Sequence, residues 1–461
     1  MMFRKLRQWL ENAFTSDYFT FRQIASMLVT LIMDSFFIMI INVLSSSMVS
    51  SVGEAAMAAV NMVGTINMLV SLTFTSLATG GSIVVARAKG SHDMMSLRNA
   101  ITQSISICTL ISLVVSAALY VLGEPLVNVL YPEVEPLLTE YAVRYLRLVC
   151  ISLPPYAMFC AIFNSFRSVG DTKSALFLTI VINGAHLVGS FIFINGMQLG
   201  VDGAGWSLIA ARVLGVIVAV LWMFRVHNEF HVRFRDVFRF SRKIVSEIIH
   251  LGIPIASESI LLQGGMLLVQ IYLARLTTME MAAHGIVSAI FNLFCSTCNA
   301  MISLAATVCG QCVGARQYEL ARKYCLKIIQ AGRFVVLALT SLYFALMPLW
   351  FLLYAPSEAA KPIIFTSLLI GGVSLCVFGC DSNIIPSALR SAGDVIFPSI
   401  VSLSTLFVGR IVLGYILTIV VGIGVPGIWL ALGAEMLIRA IVLRKRVTGS
   451  AWYRNHQMKQ A

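Results

Sequence analysis

Three carboxylates stand inside long apolar runs: Asp34, Glu258 and Asp381. An acid at the centre of a bilayer costs about 2.5–3.5 kcal/mol on insertion scales, so it is kept mainly where it pairs, titrates or binds an ion. Such a group can hold a sodium ion or carry a proton. Ser35 follows Asp34, Ser259 follows Glu258, and Ser382 and Asn383 follow Asp381, which places further oxygen atoms beside each acid. The plainer reading of each is a hydrogen-bonded structural carboxylate. For Glu258 a place near the cytoplasmic end of its span is a second plain reading. Bases also occur inside apolar runs. Arg410 reads as the partner of a carboxylate or carbonyl, Arg212 as a side chain snorkelling out of its span, and His284 as a packed histidine.

These residues need a scaffold, and composition defines its class. The chain has 461 residues, 58% of them hydrophobic and 12% charged. Soluble domains carry about 25% charged residues. So apolar a chain needs hydrocarbon as its solvent, and only helices or closed barrels satisfy the backbone there. The apolar runs reach about 20 residues, which is helix length rather than barrel-strand length. Twelve spans are predicted: 24–49, 55–86, 99–122, 138–163, 174–195, 204–224, 246–274, 280–312, 330–354, 361–388, 396–421 and 425–443. The expected fold is an all-α polytopic membrane protein with two pseudo-symmetric six-helix lobes.

Lys and Arg set the expected orientation. Most of the 33 lie in the N-terminal segment, in the loops after even-numbered spans and in the C-terminal tail. The loops on the other side carry acids such as Glu124, Glu133, Glu135 and Glu140. By the positive-inside rule both termini are cytoplasmic. The expected layout is a cytoplasmic segment 1–23, an N-lobe 24–224, a cytoplasmic linker 225–245, a C-lobe 246–443 and a cytoplasmic tail 444–461. Nothing in 1–23 reads as a cleavable signal. The net charge of +12 follows this topology, so nucleic acid is not an expected partner.

The two lobes are copies. Shifting the chain by 224 residues sets Met57-Ala58-Ala59 on Met281-Ala282-Ala283, Thr73 on Thr297, Gly90 on Gly314 and Arg98 on Arg322. At 223 residues, Arg167-Ser168-Val169-Gly170-Asp171 meets Arg390-Ser391-Ala392-Gly393-Asp394. Gly200-Val201-x-Gly203 likewise meets Gly424-Val425-x-Gly427. Similarity on this scale marks a duplicated domain. Each copy has six helices, so the repeats are parallel, an arrangement that places ion and substrate sites near the midplane. The same shift sets Asp34 on Glu258. It also sets Thr30 against Pro254, which is expected to open span seven, and Val60 against His284.

Several runs resemble one family. SVGEAAMAAVNMV, GGSIVVARAKGSHDMMSLRNA, FRSVGDTKSALFLTIVIN, LTTMEMAAHGI, LRSAGDVIFPSIV and GRIVLGYILTIVVGIGVPGIWLAL occur in the order and spacing of the multidrug and toxic compound extrusion transporters. The resemblance covers about residues 20–445. It implies a twelve-helix fold and antiport, with substrate leaving as sodium ions or protons enter. It implies that Asp34 serves cation binding, with a possible sodium site near it, and that Arg410 is the family's arginine in span eleven. Asn183 matches a family asparagine, but the acid often found four residues later is Leu187 here, beside His186. A family acid in helix seven falls at Leu262, next to Gln263, and the acid of helix ten falls about two positions before Asp381. These departures leave sodium and proton both open. No proline precedes Pro125, so a proline-based bend of the first helix has no residue to carry it. Gly80-Gly81 could permit a bend in span two, or simply close packing.

The expected function is secondary antiport: export of small organic, cationic or amphipathic compounds against protons or sodium ions. The expected place is the bacterial cytoplasmic (inner) membrane. A flippase for a lipid-linked or amphipathic substrate is the alternative within transport; a membrane-embedded enzyme is the alternative outside it. No phosphate-binding G-x-x-x-x-G-K-[ST] run occurs, and no H-E-x-x-H or G-x-S-x-G. No catalytic residues, cofactor or structural metal are expected, since Cys309-x-x-Cys312 stands without a second pair. The partners expected are a small-molecule substrate and the lipid bilayer, and the expected state is a monomer.

Overall fold

The computed structural model describes residues 18–49, 54–132, 135–226 and 240–453. Most of the expected N-terminal segment and linker, and the end of the tail, lie outside the described residues. Twelve helices are long and apolar enough to cross a membrane, and no strand occurs among the described residues. They are α1 Phe21–Val49, α2 Glu54–Gly90, α3 Met94–Leu130 and α4 Pro136–Val169. Then come α5 Thr172–Gly196, α6 Gly200–Phe224, α7 Arg242–Leu273 and α8 Thr278–Gly314. The last four are α9 Tyr318–Ala345, α10 Ala360–Ser391, α11 Ile396–Val420 and α12 Val425–Thr448.

Several helices overrun the expected spans. The helices α2, α3 and α8 have 37 residues each, about 55 Å at 1.5 Å per residue against a hydrocarbon core of about 30 Å. Apolarity marks the part inside lipid; caps decide where the helix ends. Asp93 begins α3 by accepting the Met95 and Ser96 amides at 3.0 and 3.1 Å. Span nine, expected at 330–354, begins as a helix at Tyr318 and breaks at Leu346 before a short helix Met347–Tyr354. Pro254 does not open its span: α7 starts at Arg242 and the proline sits well inside it.

Two compact units divide the chain, one of residues 33–256 and the other of 257–461 with the described part of 1–32. The boundaries therefore cut α1 and α7 rather than the linker.

The duplication reappears in the backbone. His92 and Arg316 take left-handed φ values of 56° and 61°, 224 residues apart. Gly170 and Gly393, 223 apart, have φ of 93° and 88°. In that pair the left-handed glycine ends the helix: the Gly170 amide bonds the Arg167 carbonyl at 3.1 Å, and the Asp171 amide bonds the Phe166 carbonyl at 3.0 Å. The same two bonds recur from Gly393 to Arg390 and from Asp394 to Leu389, at 2.9 and 3.1 Å. Each motif thus fixes an arginine in the last turn of α4 or α10. A second repeated device is close packing. A Cβ on Gly203 would meet the Phe193 carbonyl oxygen at 2.7 Å, and one on Gly427 the Leu417 carbonyl carbon at 3.0 Å.

Within residues 33–256, α2, α4 and the start of α6 meet in a core built on Phe74, Leu146, Val149 and Leu153. Leu113, Val114, Val121 and Leu122 of α3 are exposed, as lipid-facing positions should be. Lipid removes most of the hydrophobic drive between helices, so packing and hydrogen bonds must hold them. Pro154 and Pro155 lie inside α4. Pro154 has no N–H for the Cys150 carbonyl four residues back. The Ser116 hydroxyl of α3 donates to that carbonyl instead.

Candidate functional site

Asp34 lies about midway along α1 and is only 3% exposed. The Arg167 guanidinium, held at the end of α4 by the Gly170 turn, acts on it electrostatically, and the Thr179 hydroxyl of α5 lies beside it. Its Oδ1 atom is buried without a hydrogen-bond partner among the described residues. Asn183, one turn beyond Thr179, donates from Nδ2 to the Thr179 carbonyl at 2.9 Å. Asp34, Thr179 and Asn183 are thereby placed in one neighbourhood of the first unit.

Glu258 repeats this arrangement in the second unit. It is 6% exposed and stands at the middle of α7, since that helix begins at Arg242. The reading that set it near the cytoplasmic end fails because the helix starts earlier than apolarity alone indicates. Arg390 Nη2 and Ser399 Oγ both donate to Glu258 Oε2 at 2.5 Å. Arg390 occupies the same turn of α10 that Arg167 occupies in α4, and Ser399 comes from α11 as Thr179 comes from α5. Each unit therefore joins a first-helix acid, a fourth-helix arginine and a fifth-helix hydroxyl.

Asp381 is 1% exposed in α10, just beyond a π-helical turn at Leu375–Gly379. Arg333 pairs with its Oδ2, and Arg444 approaches Oδ1 at 3.3 Å. Gln263 is half-buried on α7. His284 is half-buried too; its Nε2 lies 3.3 Å from the Ser288 hydroxyl and its ring centroid 5.9 Å from that of Trp429. Arg410 sits in a π-helical turn of α11 and pairs through Nε with Glu435 at 2.6 Å. Glu435 also pairs with Arg439 at 3.5 Å. Arg212 does not snorkel. It is 5% exposed, with Nη1 donating to Ser152 Oγ at 2.7 Å.

Sequence reasoning missed the partners. Arg167 and Arg390 were visible as a repeated motif, and their recurrence at nearly the spacing of the acids was the available signal. Glu435 and Arg439, four residues apart in the last apolar run, were visible as intramembrane charges. Nothing in the sequence joins either to Arg410 across two helices.

The three acids thus share a property: each carries an arginine within its own unit. An opposite charge stabilises the ionised form, and a buried acid with one arginine is already neutral as a pair. A second cation or a proton competes with that arginine. Among the described residues no group of three His, Cys, Asp or Glu is close enough to hold a metal ion. Cys309 and Cys312 are buried free thiols.

Twelve spanning helices in two repeated halves, each with a neutralised intramembrane carboxylate, define a polytopic membrane transporter rather than an enzyme. The MatE family profile matches residues 31–192 and 254–416, and the chain belongs to that family of transporters. It is 25% identical to the "Uncharacterized transporter YisQ" of Bacillus subtilis, over 88% of this chain and 89% of the relative. It is 26% identical to a "Probable multidrug resistance protein NorM" of Bradyrhizobium diazoefficiens, over 87% and 88%. The fold matches an outward-facing multidrug resistance MATE family transporter of the MOP superfamily with a TM-score of 0.83, at 19% identity over 92% of this chain and 95% of the other.

Proposed function

We propose that this protein is a secondary antiporter of the cytoplasmic (inner) membrane, exporting small amphipathic organic compounds as protons or sodium ions enter. Both termini face the cytoplasm, and the monomer is the working unit. Asp34 carries this reading: a buried carboxylate of the first helix with one oxygen unbonded and an arginine opposite. A proton or sodium ion arriving at Asp34 displaces Arg167 electrostatically, and the movement of that charge is what alternating access can use. The names of the relatives, multidrug resistance proteins among them, support export as the direction.

Purified protein in liposomes tests this. A sodium gradient and a proton gradient are imposed separately, and movement of a fluorescent amphipath is followed. One gradient should drive transport, and Asp34→Asn should abolish the coupling. Absence of transport with both gradients across a broad substrate panel would end the exporter reading. Full coupled transport by Asp34→Asn would remove Asp34 from the mechanism.

A further inference from the structure

The buried cation of α6 differs from the arginines that face Asp34, Glu258, Asp381 and Glu435. Arg212 stands midway along the helix, about 18 Å from either end at 1.5 Å per residue. Its guanidinium lies over the Tyr156 ring, 4.3 Å from the centroid. Nη1 donates to Ser152 Oγ at 2.7 Å, and Nη2 donates to Asn67 Oδ1 at 3.2 Å and Ser71 Oγ at 3.4 Å. Ser71 in turn donates to Asn67 Oδ1 at 3.3 Å. All these partners are neutral. Among the described residues no carboxylate lies within ion-pair distance of Arg212.

The acids of this unit that approach it along the chain already have cations of their own. Asp34 has Arg167, and Asp202, on α6 itself, pairs with Arg144 at 2.5 Å. The groups in electrostatic reach of Arg212 are Tyr145, Tyr156 and His186, none of them an anion. In the duplicate helix α12, by contrast, Arg439 faces Glu435. Duplication therefore preserved an intramembrane arginine in both sixth helices but left only one with an internal counter-charge.

A guanidinium is permanently charged and weakly hydrated, and its planar fork matches a carboxylate in two-point contact. Held by neutral acceptors and a tyrosine face, it is oriented without being neutralised. Asn67, Ser71, Tyr156 and His186 around it are half-buried rather than sealed. An uncompensated charge at mid-membrane marks a functional site whose partner must come from elsewhere.

We propose that Arg212, with Asn67, Ser71 and Tyr156, forms a binding site for an anionic group of the transported compound, a carboxylate on an aromatic or amphipathic body. This rests on the exporter reading and refines its substrate class: carboxylate-bearing amphipaths and zwitterions fit the first unit better than purely cationic compounds. The tyrosine face accepts the apolar body while the guanidinium takes the charge.

Equilibrium binding separates this idea from antiport, because it needs no gradient. Purified protein is titrated with a fluorescein-type carboxylate dye and, separately, an ethidium-type cation, with fluorescence polarisation as the readout. The carboxylate dye should bind, Arg212→Gln should weaken it at least ten-fold, and Arg212→Lys should restore part of the loss. Binding of the cation should not weaken in either variant. On the unaltered protein, benzoate should compete with the carboxylate dye and methyl benzoate should not, a comparison that stands even where a variant fails to fold. Equal competition by both compounds, or no binding of the carboxylate dye, overturns the site. Charge-dependent binding without gradient-driven transport would leave the site standing and sink only the antiport reading.

Discussion

Glu258 and Arg390 are 132 residues apart in the chain, and their side chains meet at 2.5 Å inside one six-helix unit. The turn that ends α10 aims Arg390, and the middle of α7 supplies Glu258. Removing one member of a buried pair leaves an uncompensated charge, at a cost of about 3–5 kcal/mol. Glu258→Gln and Arg390→Gln should each lower the thermal midpoint in detergent markedly. The double variant should be more stable than the sum of the two losses implies. Strict additivity across this cycle would show that the pair is not coupled.

Ser116 makes a sharper test of the proline segment. Its hydroxyl serves the Cys150 carbonyl that Pro154 leaves without a helical donor. Ser116→Ala should cost about 1–3 kcal/mol, the range for stranding a buried polar group. Ser112, also buried on α3, donates only to the Thr109 carbonyl of its own helix, at 2.7 Å. Ser112→Ala should therefore be nearly silent in the same unfolding assay.

The two left-handed glycines make a paired prediction. Gly170→Ala and Gly393→Ala each place a Cβ at φ near 90°, a strain of about 1–2 kcal/mol. Both should lower stability by similar amounts. Because each turn orients an arginine toward a carboxylate, both should also impair transport beyond what the loss of folded protein explains. Unchanged specific activity per folded molecule would separate the turn from the pair.

Gly80 and Gly252 meet where α2 crosses the first part of α7: a Cβ on Gly80 would lie 2.6 Å from the Gly252 Cα. The contact is backbone, so no side chain can yield. Gly80→Leu should cost about 1–3 kcal/mol or more through overpacking, measured as reduced folded yield and a lower thermal midpoint. Gly64, with nothing within 4 Å of its Cβ position, is the control and should accept alanine at only the small energetic change typical of an open helix position.

Asp93 carries a pH dependence. It lies in the loop before α3, and the Ser96 hydroxyl together with the Ser96 and Met95 amides holds its carboxyl below the ordinary aspartate range. A carboxyl depressed on folding stabilises the folded form above its unfolded pKa, about 3.9. That contribution is lost as pH falls through the lower folded value. Hydrogen exchange at the Met95 and Ser96 amides should therefore show protection that weakens below about pH 4 and is absent at all pH values in Asp93→Ala. Equal protection in the variant would mean that the cap does not hold this helix start.

Much of this arrangement is legible in the amino-acid sequence. Twelve spans, two copies and the equivalence of Asp34 with Glu258 follow from apolar run lengths and from one constant offset. Helix ends are less legible, as Tyr318 and Arg242 show, because a helix continues past the bilayer for as long as its caps permit. Snorkelling is the wrong expectation for Arg212 because a span's composition is silent about which side of the helix a residue occupies.

Local pattern by itself determined the class of this protein: hydropathy, charge asymmetry and duplication are sums along the chain, and each is complete without contacts. The tertiary structure decided the pairings. Whether Asp34 meets Arg167, Glu258 meets Arg390, or Arg212 meets no acid depends on the rotation of each helix about its axis. That rotation is set by packing between helices far apart in sequence, through glycines, prolines and hydroxyls whose partners no spacing rule names.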